Sequence, residues 1–179
     1  MVGNARPGLL CRGKYSRLGI FLLVAASATC TGSEATPAPK DLVFGAHRVQ
    51  VTVPTGWEAL DQGNQKRFRK GEFEIVLQNL GPRTPPPRDL DELIDWGLAQ
   101  VGHDQRREEK SRRAAMLDGR EGMDIETWHR LDHSNPQRIF LVEDDGDLLA
   151  LHTAGMARQD SLTAFDALRD SLHFVSARR

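Results

Sequence analysis

The chain is poor in cysteine, in long apolar runs and in surplus charge of either sign. Only Cys11 and Cys30 occur in 179 residues, so the sequence beyond residue 30 carries no thiol. That excludes disulfides and cysteine-ligated metals from the remainder, and stability must come from an ordinary apolar core. About 140 residues suffice to build such a core as one domain. No G-x-S-x-G nucleophile elbow and no G-x-x-x-x-G-K-[ST] phosphate loop occurs, so the sequence implies no cofactor and gives enzyme chemistry little support. The longest apolar run, Leu18 to Thr29, is about a dozen residues, too short to span a bilayer comfortably.

That run has a different meaning. Met1 to Thr29 contains no acid, and Arg6, Arg12, Lys14 and Arg17 precede the apolar stretch, the layout of a cleavable export signal. Two processing routes are open. Ala26-Ser27-Ala28 is an A-x-A site for ordinary cleavage, whereas "SATC", Ser27 to Cys30, resembles a bacterial lipobox whose cysteine carries lipid. The second is favoured, because Cys30 is the only cysteine past the basic segment and a polar, flexible stretch follows it. The expected organisation is a signal over 1–29, a tether over 30–41 and one domain over 42–176. Removing the four basic residues of the signal from 24 leaves 20 against 25 acids, a net charge near −5. Such a domain lacks the basic footprint that nucleic acid requires.

Period-2 patterning dominates the domain. His47, Val49, Val51 and Val53 alternate with polar residues and predict a half-buried strand, which Pro54 and Gly56 end in a turn over Val53 to Gly56 that seats Trp57 in the core. Lys66 to Leu80 predicts a hairpin around Lys70-Gly71. The proline-rich connector Gly81 to Arg88 cannot continue a strand. Asp89 with Glu92 forms a capping-box pair for a helix whose stripe is Leu90, Leu93, Ile94, Gly97, Leu98 and Val101, with Gly102 ending it. Gly97 in that stripe points to close approach on a sheet. Asp118-Gly119 and Asp145-Gly146 each join two patterned runs, the sequence mark of a two-residue hairpin. "RIFLVED", Arg138 to Asp144, is apolar on both faces and belongs in the middle of a sheet. A last helix, capped near Asp160 or Ser161, turns Leu162, Phe165, Leu168 and Leu172 inward. The order is β-β-β-α-β-β-β-β-α, an α+β fold with an antiparallel sheet and two main helices.

A strand closing in "VPTGW", strands on both sides of one helix, and a last helix running into "DSLHFV" (Asp170 to Val175) resemble the PsbP-like superfamily. That group includes the photosystem extrinsic protein PsbP, Ran-binding Mog proteins and bacterial DcrB-like envelope lipoproteins. Many bacterial relatives end in Ser-Phe-x-Phe, where this chain has Ser171-Leu172-His173-Phe174. The resemblance covers Leu42 to Val175. It implies a PsbP-like sandwich that works by binding, as an adaptor, chaperone or assembly factor, and transfers no catalytic residue.

Several groups carry candidate chemistry. His129 and His133 could serve an envelope hydrolase or metal-dependent enzyme, but no third ligand is evident and their segment reads as a strand running into a turn. "EDDGD", Glu143 to Asp147, invites calcium, yet lacks the EF-hand offsets and reads better as a solvated turn. "RREEKSRR", Arg106 to Arg113, fits an edge strand guarded by mixed charge. His152 lies among leucines and reads as a core histidine. Trp96 falls beside its helix's apolar stripe, either bordering a ligand groove or packing beneath the proline connector. No metal site or catalytic residue is therefore expected. The expected function is binding of an envelope protein partner, with a periplasmic immunity protein as a further alternative.

Overall fold

The computed structural model describes residues 39–44, 47–101, 106–154 and 157–175, all within the compact unit Ala35–Arg179. The expected export signal, Cys30 and Gly102 lie outside the described residues. Ten strands and two helices follow in the order β1 (Pro39–Phe44), β2 (His47–Thr52), β3 (Glu58–Gln62), β4 (Gln65–Lys70), β5 (Phe73–Pro82), α1 (Leu90–Gln100), β6 (Arg107–Leu117), β7 (Arg120–His129), β8 (Gln137–Asp144), β9 (Asp147–Ala154), α2 (Gln159–Asp170) and β10 (His173–Phe174). Seven strands form one sheet, ordered β3-β4-β5-β9-β8-β7-β6, and three form another, β1-β2-β10; every pairing is antiparallel.

Period-2 alternation along β8 and β9 explains the layering. Phe140, Val142, Leu149 and Leu151 point to one side, where they meet Phe165 and Leu168 of α2 and Phe44, Val49 and Val51 of the small sheet. Ile139, Leu141, Leu148 and Ala150 point to the other, under Leu93, Ile94 and Leu98 of α1. The large sheet is thus sandwiched between α1 and a layer made of α2 and the small sheet. β6 is its edge strand, and Arg112 there is tied to Glu109 and to Asp95 of α1.

Local signals in the sequence act largely as expected. Asp118-Gly119 and Asp145-Gly146 adopt positive φ at both positions, as a type I′ turn requires. The Asp89 side chain accepts from the Glu92 amide at 2.8 Å and caps α1. The reciprocal half of the box moves one residue upstream: the Glu92 carboxylate accepts from the Arg88 amide and from the Arg83 and Arg88 guanidiniums. Those bonds hold its pKa down at about 2, well below an ordinary carboxylate.

Four expectations need correction. Five strands precede α1, not three: β1 takes residues 39–41 from the expected tether, and β3 is acidic and poorly alternating, held by its register with β4. The turn after β2 lies one residue later than expected. The Trp57 amide donates to the Pro54 carbonyl at 3.1 Å, which puts Gly56, with φ 78°, at the third position of the turn, where a type II turn needs positive φ. Trp57 is buried in the core as expected. α2 begins ahead of Asp160; Ser161 acts from inside its first turn, accepting from the Arg158 amide and donating to the Arg158 carbonyl. Its buried face uses Ala164 in place of Leu162, and Leu172 is buried just after the helix ends.

Two glycines make close packing possible, with different tolerances. A Cβ on Gly97 would stand 2.5 Å from Leu148 Cδ2, a methyl that can rotate away. One on Gly122 would stand 2.5 Å from the Leu141 carbonyl oxygen, which is fixed in the ladder. Gly97→Ala also gains about 1 kcal/mol of helix propensity. Urea unfolding should therefore show Gly122→Ala costing about 2–3 kcal/mol and Gly97→Ala at least about 1 kcal/mol less.

Candidate functional site

The β8–β9 hairpin carries functional geometry on both of its faces. On the side of the small sheet, His47 at the start of β2 lies between the two acids that flank the turn. Its Nδ1 is 2.8 Å from Asp144 Oδ2 and its Nε2 is 2.8 Å from Asp147 Oδ2. Carboxylates only accept, so both ring nitrogens act as donors and the ring is an imidazolium. Its side chain and that of Asp144 are each 10% exposed. Burial draws the His47 pKa down, but the hydrogen bonds and charges of Asp144 and Asp147 outweigh it and leave the pKa raised. Asn79 of β5 donates to Asp147 at 2.8 Å, and Arg120 of β7 donates to Asp144. The Arg120 guanidinium also lies 4.0 Å from the centre of the Phe174 ring on β10. One continuous polar chain thus sutures the small sheet to the large one at both β2 and β10.

On the opposite side, facing α1, a groove of about 580 Å³ opens between the proline connector, the first turn of α1 and the ends of β7 and β8. Pro82, Pro86, Pro87, Leu90 and Leu93 form its apolar walls, with Arg83, Arg88, Glu121, Glu143 and Gly146 around them. Its volume lies within the range of small-ligand and peptide side-chain pockets. Arg83 and Arg88 both spend their charge on Glu92. Arg83 Nη1 is buried without an acceptor.

The sequence candidates fall elsewhere. His129 Nδ1 lies 3.1 Å from Asp132 Oδ1, while His133 stacks on Trp128 with ring centres 4.3 Å apart. The two histidines are each engaged separately beside a shallow depression at Arg106, His129, Arg130 and Leu131. Among the described residues no group of three or more His, Cys, Asp or Glu side chains could hold a metal. Trp96 is half-buried against the α1 core cluster and does not line the groove. His152 is a core residue, 8% exposed, with a pKa lowered to about 4 chiefly by burial. The groove and the His47 network escaped sequence reasoning; the alternating face that starts at His47 and the clustered acids around Asp145-Gly146 were its only traces.

Comparison with solved structures fixes the architecture. The solution structure of cyanobacterial PsbP (CyanoP) from Synechocystis sp. PCC 6803 superposes with a TM-score of 0.53, at 15% identity, over 83% of this chain and 99% of that one. The fold is PsbP-like. No protein-family model and no curated protein sequence matches the chain. Among the described residues of this PsbP-like domain no helix is long and apolar enough to cross a membrane.

Partly buried His47 and buried His152 give opposite pH slopes. His47, with a raised pKa, contributes stability that is full below about pH 6.5 and is lost as pH rises through the folded value. His47→Ala should cost about 3 kcal/mol near pH 5.5 and clearly less near pH 9 in urea unfolding, since the imidazolium is what the two carboxylates hold. His152, with a lowered pKa, favours the fold above about 6.5 and disfavours it as pH falls toward 4. His152→Leu should flatten that acid limb by up to about 3 kcal/mol, at 1.36 kcal/mol per pKa unit.

Proposed function

We propose that this protein is a noncatalytic binding or adaptor protein of a bacterial cell envelope, exported and held to the membrane by lipid at Cys30, which engages a protein partner through the groove beside the proline connector. The observation that carries the reading is that groove: an open cleft with apolar walls, next to two carboxylates without a partner among the described residues. The PsbP-like architecture supports it, because the fold offers a platform and no shared catalytic centre. The leader Met1 to Thr29, the "SATC" sequence and the polar residues after Cys30 support export and anchoring. With β1 beginning at Pro39, eight residues separate it from Cys30. They reach at most about 29 Å, which keeps the domain within one diameter of the bilayer surface.

Two measurements test this. Palmitate labelling in cells should mark the wild-type chain and vanish in Cys30→Ser; label that persists in the variant removes the lipid anchor. Crosslinking and affinity capture from membranes should return a defined envelope protein with the wild-type chain, and a capture indistinguishable from that of an unrelated lipoprotein removes the adaptor role.

A further inference from the structure

Most acids at this end of the domain are neutralised within it. Glu92 takes Arg83 and Arg88, Asp144 takes Arg120 and His47, and Asp147 takes His47 and Asn79. Among the described residues Asp145 in the turn is a further unpaired acid, outside the groove lining, and Asp89, which does line the groove, is held by the Glu92 amide. The remaining exceptions are Glu121 and Glu143. Both are exposed, both line the groove, and neither carboxylate has an ion-pair or hydrogen-bond partner among the described residues. They are also neighbours. Gly122 pairs with Val142 across β7 and β8, so the same antiparallel register carried one residue further sets Glu121 opposite Glu143. Like charges directly across a ladder destabilise a sheet. Two unneutralised carboxylates side by side on a cleft are a structural liability that a cationic group from outside would relieve.

The rest of the groove states what kind of cation fits. Half-buried Leu90 and exposed Pro82 and Pro86 present apolar surface that a bare metal ion or a hydrated polyamine does not cover. The prolines lack N–H groups, so the connector cannot add a ladder strand and recognition falls to side chains. Resting on the binding reading above, we propose that the groove takes an extended segment of the protein partner in which a lysine or arginine, flanked by apolar residues, reaches Glu121 and Glu143. The cationic side chain enters between the two carboxylates, and its apolar neighbours cover Leu90 and the prolines.

The test uses the full chain labelled with ¹⁵N and titrated with a blocked peptide, acetyl-Leu-Leu-Lys-Leu-Ala-amide, with its norleucine-for-lysine analogue and with free lysine amide as controls. Amide shifts should gather at Leu90, Glu121, Glu143 and Gly146. The norleucine peptide should bind at least about tenfold more weakly, and affinity should fall as salt rises. The double variant Glu121→Gln, Glu143→Gln should lose about tenfold in affinity while melting at the same temperature or higher, because removing the like-charge pair cannot harm the sheet. Shifts at another surface, equal binding of the norleucine peptide, equal binding of free lysine amide, or unchanged affinity in the double variant would each overturn the proposal. The same double variant, carried into the membrane capture, separates the two readings. A partner retained by the variant as by wild type sinks the groove assignment and leaves the adaptor role standing, whereas a partner lost from the variant alone supports both.

Discussion

Burying a strand on both faces demands a layer on each side of it, and β8 and β9 are buried that way along most of their length. α1 must lie on one face because Ile139, Leu141, Leu148 and Ala150 need cover there; Gly97 lets the helix come close enough to supply it. α2 and the small sheet must lie on the other, over Phe140, Val142, Leu149 and Leu151. The strands outward from this pair can then be half-polar, since each needs only partial cover. β3, at one edge, is almost wholly exposed, and β6, at the other, is charged along most of its length.

The same alternation continues past the apolar core into the hairpin. Asp144 follows Phe140 and Val142 toward the small sheet and meets His47; Glu143 follows Ile139 and Leu141 toward α1 and reaches the groove. A structural ion network and an unneutralised acid therefore sit one residue apart, separated only by the pleat. Asp145 and Gly146, with positive φ, give the turn that brings Asp147 back level with Asp144.

What the sequence disclosed was local. Turn dipeptides with a left-handed requirement, a capping aspartate, and apolar stripes of period 2 or 3.6 act within a few residues, so Asp118-Gly119, Asp145-Gly146, α1 and β8 could be read directly, and the resemblance to the PsbP-like fold was visible although the strand count before α1 was not. β1, β3 and β10 could not. β1 opens with proline and lysine, β3 reads as acidic and unpatterned, and β10 has two residues; each is a strand because of the neighbour it pairs with. The site was illegible for the same reason carried further. His47 meets Asp144 and Asp147 across 97 and 100 residues, and the groove joins a connector, a helix start and two strand ends from separate parts of the chain. Histidines at 129 and 133 are close in sequence, but the turn and the Trp128 ring give them different partners.

Among the described residues β1 pairs in a ladder with β2 alone, and it is also the described segment nearest in sequence to Cys30. Tension drawn through the N-terminal side of the chain therefore falls first on six residue pairs, before any strand of the large sheet is loaded. Peeling that ladder would release six residues, about 20 Å of extended chain. Two buried side chains, Leu42 and Phe44, would leave the core with it. β1 is thus a terminal ladder whose loss would leave every strand pairing of the large sheet intact.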